Sequence, residues 1–186
     1  MKIILASASP RRKELLKMLF DEFTIIPADI DENIAAERPH DAAEIIAVKK
    51  AQAIDALDSL VIACDTVVIL ENKLLGKPRD DNQAKQMLSL LSGRVHNVMT
   101  GVCLKFNEKS YSFTQKTSVE FYSLTESEID TYIKTGEPLD KAGGYGIQGK
   151  GGLFVRQING DYYNVVGLPV SRLKREIERF KTICGI

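Results

Sequence analysis

Along the chain, short continuous runs of apolar residues alternate with segments in which apolar residues recur at helical spacing. This order is typical of an α/β protein. Residues 3–6 form a brief apolar run that predicts a strand, and residues 60–70 form a longer one. Apolar residues three and four positions apart predict amphipathic helices, including a C-terminal helix through Phe180. Residues 95–106 and 111–122 predict two long strands joined by a turn. The predicted fold is therefore α/β, with a long, twisted, mixed sheet flanked by helices and two lobes around a cleft.

A capping pattern marks one of the predicted helices. Asp41 followed three residues later by Glu44 matches the capping box and predicts a helix from there to about residue 57. Lys50 falls on the apolar stripe of this helix, where its stem either covers apolar surface or directs the ammonium into a cleft. The spacing favours neither interpretation. The apolar positions of the stripe are Ile46, Ala53, Ile54 and Leu57.

Composition describes a globular chain without an overall electrostatic bias. Of its 186 residues, 44% are hydrophobic and 27% are charged, and 25 Lys and Arg balance 25 Asp and Glu. We expect one domain over residues 1–186, with neither nucleic acid nor membrane as a partner, because there is no strong basic field and no span-length apolar stretch. Three widely spaced cysteines argue against a disulfide framework or zinc knuckle and, without a signal-peptide pattern, favour the cytoplasm.

Residues 5–16 carry an unusual concentration of charge at a predicted helix start. Ser9 suits the N-cap and Pro10 suits the first helical position. Arg11, Arg12 and Lys13 then crowd a first turn that already carries the positive end of the helix dipole. A bound anion would relieve this conflict, so the stretch predicts a phosphate site. The alternative is a solvated basic turn, but strand, Ser, Pro and two Arg in this order favour the phosphate site.

Acidic residues next to predicted strands supply the remaining charged candidates. Asp65 interrupts the apolar run 60–70, where an ionised carboxylate is costly unless it is paired or bound to metal. The alternative is a bulge or strand end at which Asp65 caps a turn. Glu32 follows a weaker predicted strand, where a carboxylate either binds metal or solvates a loop. Lys77 stands between Gly76 and Pro78, a rigid bend able to present its ammonium.

Glycine is concentrated near the C-terminal third of the chain. Six glycines lie between residues 143 and 152, so we expect the backbone there to approach a ligand closely. The spacing fits neither a Walker A loop nor a dinucleotide fingerprint. Further on, Asn159-Gly160 predicts a two-residue hairpin between strands at 153–158 and 161–166.

Several of these segments together resemble the Maf family, the septum-formation-inhibitor-like nucleoside triphosphate pyrophosphatases. The resemblance covers nearly the full chain and rests on the stretches 7–16, 64–66, 76–78, 140–149 and 166–169, together with Glu32 and Lys50-Ala51. Cys64 stands where relatives commonly have Gly. The resemblance implies a fold similar to inosine triphosphate pyrophosphatase and hydrolysis of a nucleoside triphosphate to monophosphate and pyrophosphate with Mg²⁺ or Mn²⁺. It also implies a part in nucleotide-pool house-cleaning and a link to septum formation; relatives often form homodimers.

The same resemblance implies a role for each matching residue. Asp65 would be the proton acceptor and, with Glu32, a metal ligand. The substrate and its phosphates would be bound by Ser7, Arg11, Arg12, Lys50 and Lys77, and specificity would come from Arg11, Thr66 and Gln148. The stretch 140–149 looks like the branch that uses dTTP and UTP. Uracil and thymine offer an acceptor at O4 beside a donor at N3, and the carboxamide of Gln148 can meet both.

A function of another class is a non-catalytic regulator of cell division that binds nucleotides or nucleic acid. Neutral net charge weighs against nucleic acid, because such binders usually carry a marked basic patch. Asp65 weighs against a pure anion binder, because an unpaired carboxylate repels phosphate. The sequence therefore favours an enzyme whose partner is a nucleoside triphosphate.

Overall fold

The computed structural model describes residues 1–30 and 39–186 and confirms the α/β architecture. The strands are β1 (Lys2–Leu5), β2 (Thr24–Ile25), β3 (Ser59–Leu70), β4 (Lys73–Leu75), β5 (Val95–Phe106), β6 (Lys109–Phe121) and β7 (Val155–Asn159). The helices are α1 (Pro10–Leu16), α2 (Ala42–Gln52), α3 (Asp81–Leu91), α4 (Glu126–Ile133), α5 (Tyr162–Val166) and α6 (Val170–Cys184). Short 3-10 turns occupy Glu137–Asp140, Ala142–Gly144 and Lys150–Phe154.

The described strands form one mixed, seven-stranded sheet. Its order is β2-β1-β3-β5-β6-β7, with β4 paired to β3 outside this path. β1 runs parallel to both β2 and β3, whereas the other pairs are antiparallel. The long hairpin of β5 and β6 is the one predicted from two alternating segments, and its turn contains Asn107 at a positive φ of 51°.

Strand β3 changes its neighbour halfway along one edge. Its first half pairs with β1 up to Leu5 opposite Ile62, and its end pairs with β4 from Val68 opposite Leu75. Residues 63–67 lie between these pairings, with β5 on their other side. In open α/β sheets, such a switch beyond the carboxyl end of a parallel strand is where ligands bind. The polar break at Asp65 falls within this interval.

Helix α2 lies very close to the sheet because its inner face is made of small residues. Its buried positions are Ala42, Ala43, Ile46, Ala47, Lys50 and Ala51. Opposite them stands Gly101 of β5, where a Cβ atom would overlap the backbone at Ala43. Gly101 is the register partner of Asp65. The close packing therefore carries Lys50, the one charged member of this stripe, to the central part of β3.

The other face of the sheet is covered by α1, α6, α3 and α4. Leu15 and Leu16 of α1 pack with Leu173, Ile177 and Phe180 of α6 against β1 and β3. A second cluster joins α3 and α4 to the far end of β3 and to β6. In the described part of the chain, no helix is long and apolar enough to cross a membrane.

The sequence-based prediction for α2 is wrong in its cap and in its C-terminal end. Asp41 makes no cap hydrogen bond through its side chain, and α2 ends at Gln52 rather than near residue 57. Glu44 instead accepts hydrogen bonds from Ser112 Oγ at 2.7 Å and Thr114 Oγ1 at 2.6 Å, which tie α2 to β6. A contact with a distant strand has thus taken the carboxylate that the local pattern assigned to the cap. Leu57, placed on the buried stripe, is 77% exposed.

The predicted hairpin at Asn159-Gly160 is not formed. β7 ends at Asn159, and α5 begins at Tyr162 with Asp161 as its N-cap, whose side chain accepts from Tyr163 N. Thr117 of β6 contacts the same turn, donating to Asp161 O at 3.0 Å. The turn lies against β6 so closely that a Cβ on Gly160 would approach the Thr117 side chain within 3.0 Å. Tertiary contacts at this turn therefore favour a helix where the local signal predicts a strand.

Candidate active site

A cleft of about 940 Å³ opens where β3 changes neighbours. It is bounded by the β1–α1 loop, the middle of β3, α2, the segment after β4, the glycine-rich stretch and the end of α5. Glu32 lies outside the described residues. The other residues predicted for the site all line this cleft: Ser7, Arg11, Arg12, Lys50, Asp65, Thr66, Lys77 and Gln148.

A buried ion pair forms the floor of the cleft. Lys50 Nζ lies 2.8 Å from Asp65 Oδ1, and the two side chains are only 9% and 12% exposed. The attraction of the ammonium offsets the cost of burying the carboxylate charge. The Lys50 ammonium therefore lies at the cleft floor against Asp65, and its part in binding a substrate stays a prediction. The alternative in which Asp65 ends a strand is wrong, because β3 continues five residues beyond it, to Leu70.

Arg12 joins several walls of the cleft through its guanidinium. Nη1 donates to Ser7 Oγ at 3.1 Å and to the carbonyl oxygen of Cys64 at 2.9 Å. Nη2 donates to Thr66 Oγ1 at 3.1 Å, and Nε donates to the carbonyl oxygen of Gly167 at 3.0 Å. The charge at the start of α1 is thus accommodated by oxygen atoms of the chain itself. Arg12 has a structural role that the sequence pattern did not indicate.

The contact between Arg12 and Thr66 continues into the interior of the protein. Thr66 Oγ1 and Thr100 Oγ1 are 2.9 Å apart, and Thr100 donates to the carbonyl oxygen of Asn164 at 3.1 Å. The fully buried Asn164 side chain donates to Val98 O at 3.0 Å. This chain of hydrogen bonds fixes α5, whose last residues line the cleft, to the centre of the sheet.

An ion pair spans the cleft between α1 and the glycine-rich stretch. Arg11 Nη1 lies 3.3 Å from Asp140 Oδ2, and Lys141 Nζ lies 2.6 Å from Asp140 Oδ1. Burial by itself would raise the pKa of Asp140, but hydrogen bonds and charge from Lys141 and then Arg11 hold it below its usual value. Asp140 is therefore a carboxylate shared by two cations. Lys77 and Gln148 are exposed where they line the cleft.

The glycine-rich stretch is a compact structure rather than a linker. The 3-10 turns Ala142–Gly144 and Lys150–Phe154 belong to it, and Tyr145 is buried with its hydroxyl 2.8 Å from His96 Nε2. Gly143 has a φ of 70°, and a Cβ there would press against Val68. At the glycines with crowded surroundings the neighbours are the side chains and backbone of this chain, so the expected close approach to a ligand stays a prediction.

The charges that line the cleft suit an anionic ligand. Its described cations are Arg11, Arg12, Lys50, Lys77 and Lys141, and its described carboxylates are Asp65, Glu137 and Asp140. Positive side chains thus outnumber negative ones although the whole chain is neutral. Cys64 is adjacent to the floor, but burial raises the pKa of its thiol, so it is not a ready nucleophile.

The described residues alone supply too few ligands for a metal ion, so the substrate would have to complete its coordination. Among residues 1–30 and 39–186, no three His, Cys, Asp or Glu side chains gather closely enough to hold one. Glu137 and Asp140 bind amides or cations of the chain. Asp65 is the described carboxylate at the cleft floor, where Lys50 contacts its Oδ1 and its Oδ2 could face a cation. Mg²⁺ is commonly held by one or two carboxylates plus substrate phosphates, so Asp65 fits such a site.

Some residues of the site were not predicted individually from the sequence. Asp140 and Lys141 fall within the stretch that carries the family resemblance, but no role was assigned to them. Glu137 also lines the cleft, and it stands between Gly136 and Pro138 without a pattern that separates it from an ordinary loop carboxylate. Thr100 and Asn164 lie in segments whose local signals concern only strands and turns.

Comparison with known proteins identifies the family of this chain. The sequence model of the family described as Maf-like protein matches residues 2–180. The chain is 51% identical to the dTTP/UTP pyrophosphatase of a Bacillus cereus strain over 182 residues, which cover 96% of this chain and 95% of that protein. Proteins of the same name from Bacillus cytotoxicus and another Bacillus cereus strain are 51% and 52% identical with the same coverage. This chain therefore belongs to the Maf-like protein family.

Proposed function

We propose that this protein is a nucleoside triphosphate pyrophosphatase that converts dTTP and UTP to the monophosphate and pyrophosphate. One observation carries the proposal: residues predicted separately for phosphate binding, catalysis and base selection come together around a single cleft. They do so in a chain about half identical to proteins named dTTP/UTP pyrophosphatases. The cytoplasm remains the proposed location, in keeping with cysteines that are free rather than paired.

Positioning and charge neutralisation account for most of the catalysis of phosphoryl transfer. In the proposed complex, Arg11, Arg12 and Lys77 bind phosphate oxygens, and the Ser7 hydroxyl adds a further polar contact. Arg12 is already oriented by its bonds to the chain, so little side-chain freedom is lost when substrate binds. Preorganised cations of this kind stabilise the charge that develops on the phosphoryl oxygens.

Asp65 is the proposed general base. It is the carboxylate at the cleft floor, and Lys50 holds one of its oxygens at 2.8 Å. That contact orients the carboxylate, so that its other oxygen can accept the proton of a water molecule attacking the α-phosphorus. Lys50 remains close enough to bind substrate oxygens as well. General-base catalysis requires this order of positioning first and proton transfer second.

A divalent cation, Mg²⁺ or Mn²⁺, is part of the proposal. Asp65 is the described residue that would hold it, and Glu32, outside the described residues, is the second predicted ligand. A bound divalent ion would neutralise phosphate charge and orient the triphosphate. This predicts that removing divalent ions with a chelator abolishes turnover and that adding either metal restores it.

Base selection is assigned to Gln148, Thr66 and Arg11. Gln148 is exposed where it lines the cleft, between the 3-10 turns of the glycine-rich stretch. Its carboxamide can donate to O4 and accept from N3 of uracil or thymine. Cytosine reverses this pattern, so the carboxamide discriminates against it only where the bound complex holds the amide in one orientation.

A phosphate-release assay tests the proposed function. The protein is incubated with dTTP, UTP, CTP, GTP or ATP and Mg²⁺, and orthophosphate is measured with and without added inorganic pyrophosphatase. We expect signal from dTTP and UTP only when pyrophosphatase is present. Orthophosphate in its absence would contradict the proposed bond cleavage. A folded protein that binds UTP and releases nothing would support the regulator of cell division instead.

The physiological roles expected from the resemblance need separate tests. Nucleotide-pool house-cleaning predicts that deleting the gene raises the cellular dTTP and UTP pools, and the link to septum formation predicts altered septa in the same cells. The homodimer remains a prediction, which light scattering of the purified protein tests.

A further inference from the structure

We propose that Glu137 is a positioning residue that holds residues 146–150 in the conformation that presents Gln148 to the nucleobase. The inference rests on the proposed function, because it assigns a cause to the base selectivity of that same cleft. No role for Glu137 follows from the sequence pattern, and its carboxylate lies on the cleft wall that carries Gln148.

The carboxylate of Glu137 binds the glycine-rich stretch on the far side of Gln148. Its Oε2 accepts from the backbone N–H of Lys150 at 3.1 Å, and Oε1 receives a longer contact from the N–H of Gly151 at 3.5 Å. These amides follow Gln148 by two and three positions. The downstream end of the segment is thereby fixed to a charged acceptor, and such charge-assisted bonds are stronger than neutral ones.

The upstream end of the segment is fixed by a tyrosine that binds the same carboxylate. Tyr132 Oη donates to Glu137 Oε1 at 2.9 Å and accepts from the N–H of Gly146 at 3.1 Å. Gln148 therefore sits midway between two backbone amides, those of Gly146 and Lys150, that are both held by one hydrogen-bonded pair of side chains. By holding both amides, Glu137 and Tyr132 set the position of the Gln148 backbone at the cleft.

Glycine at positions 146, 149 and 151 allows the segment to pack directly against neighbouring side chains. A Cβ on Gly149 would overlap the Glu137 carboxylate, and a Cβ on Gly151 would come within 2.7 Å of Tyr132 Oη. A Cβ on Gly146 would come within 2.5 Å of Lys141 Cε, whose ammonium in turn binds Glu137 O at 3.1 Å. These glycines thus permit close packing on Glu137, Tyr132 and Lys141.

Only a carboxylate can serve all of these donors together. Glu137 faces a hydroxyl on one oxygen and a backbone amide on the other. A carboxamide has a single acceptor oxygen, so glutamine at this position would place its NH₂ group against one of the donors. Either the Tyr132 hydroxyl must turn or the amide of Lys150 loses its partner. In both cases the charge-assisted bonds that hold the backbone around Gln148 are lost or replaced by weaker, neutral ones.

The test compares Glu137→Gln and Tyr132→Phe with a matched control. Tyr132→Phe removes one hydroxyl and retains the ring that packs edge-on against Phe154 at 5.0 Å between centroids. Glu128→Gln is the control, because Glu128 also accepts from a backbone amide, that of Thr125 at 2.7 Å, but in the cap of α4. For each protein, kcat/KM is measured with UTP and CTP, together with the inhibition constant of inorganic tripolyphosphate and the thermal midpoint.

We expect Glu137→Gln and Tyr132→Phe to lower the UTP-to-CTP ratio of kcat/KM by about 10-fold or more, because a displaced carboxamide no longer matches the hydrogen-bonding groups of uracil. Their KM for UTP should rise, while inhibition by tripolyphosphate stays within about twofold of wild type, because the phosphate-binding side chains are unchanged. Glu128→Gln should lower the thermal midpoint without changing the ratio.

The outcomes separate this inference from the proposed function. Wild-type ratios in folded Glu137→Gln and Tyr132→Phe proteins, with a reduced ratio in Gln148→Ala, would overturn the positioning role and leave the proposed function intact. A wild-type protein that does not hydrolyse UTP would overturn both. If Glu137→Gln fails to fold, Glu137→Asp takes its place, because it withdraws the carboxylate from Lys150 N–H by one methylene group, and an unchanged ratio in that variant overturns the inference.

Discussion

Replacing Asp65 with asparagine isolates the charge at the floor of the cleft. The side chain is 12% exposed, and its Oδ1 accepts from Lys50 Nζ at 2.8 Å. Asparagine has the same shape and retains an acceptor oxygen for Lys50. It carries no charge and cannot take a proton from water. The substitution therefore tests the base and the ion pair without opening a cavity.

The expected magnitudes follow from these roles. Loss of a general base lowers turnover by about 10²- to 10⁴-fold. For stability, two unit charges at this separation attract by about 6 kcal/mol at an effective dielectric constant of 20, but much of that is offset by desolvation. Because asparagine retains the hydrogen bond, we expect the free energy of unfolding to fall by about 1–3 kcal/mol.

Urea unfolding and steady-state kinetics with UTP measure the two effects separately. Asp58→Asn is the matched control, because Asp58 precedes the same strand, lies outside the cleft and has a φ of 51° that asparagine tolerates. Near-normal turnover in folded Asp65→Asn would refute the base. Combining Asp65→Asn with Lys50→Met gives a double-mutant cycle, and additive losses of stability would refute the energetic coupling of the ion pair.

Three further predictions follow from the structure. Arg12→Ala should lower the free energy of unfolding by about 2–4 kcal/mol and also abolish most turnover, because several partly buried oxygens lose their donor. Arg11→Ala loses one exposed ion pair and should lower the free energy of unfolding by less than about 1 kcal/mol. Equal unfolding midpoints for the two variants would contradict this difference. Burial lowers the pKa of His96 from 6.5 to about 4. The unfolded chain therefore binds the proton at a higher pH than the folded protein does. The free energy of unfolding should decline as the pH falls through this range, by up to about 3 kcal/mol. Urea titrations between pH 7 and 4 should show that decline flattened in His96→Gln, and identical profiles would exclude His96 as its source. Hydrolysis of UTP in ¹⁸O-water should label UMP and leave pyrophosphate unlabelled, whereas labelled pyrophosphate would show that another phosphorus is attacked.

Local patterns correctly predicted the elements whose conformation depends on residues that are close together in sequence. The long hairpin of β5 and β6 follows from two alternating segments around a two-residue turn. The cap of α4 is a complete capping box in the structure, formed by Thr125 and Glu128, which stand at the Thr-x-x-Glu spacing of that motif. In both cases the residues that decide the conformation are within a few positions of one another, so tertiary contacts only reinforce the local preference.

The wrong predictions share a different cause. Glu44 follows Asp41 at the spacing of a capping box, but hydroxyl groups on β6 compete for its carboxylate. Asn159-Gly160 has the composition of a tight hairpin turn, but contacts with Thr117 and the capping of α5 by Asp161 select another conformation. A local signal of about 1 kcal/mol is readily overridden when a distant segment supplies a stronger partner.

The sequence by itself determined which residue types were available for chemistry and which were out of place locally. A carboxylate within the apolar strand β3 and cations crowded at the start of α1 are unfavourable unless something distant compensates them, so they could be recognised without coordinates. Only the tertiary structure decided what compensates them. Lys50 reaches Asp65 because α2 packs closely at Gly101, and Arg12 finds oxygens on β3 and at Gly167. Such pairings depend on the positions of segments far apart in sequence, about which local patterns carry no information.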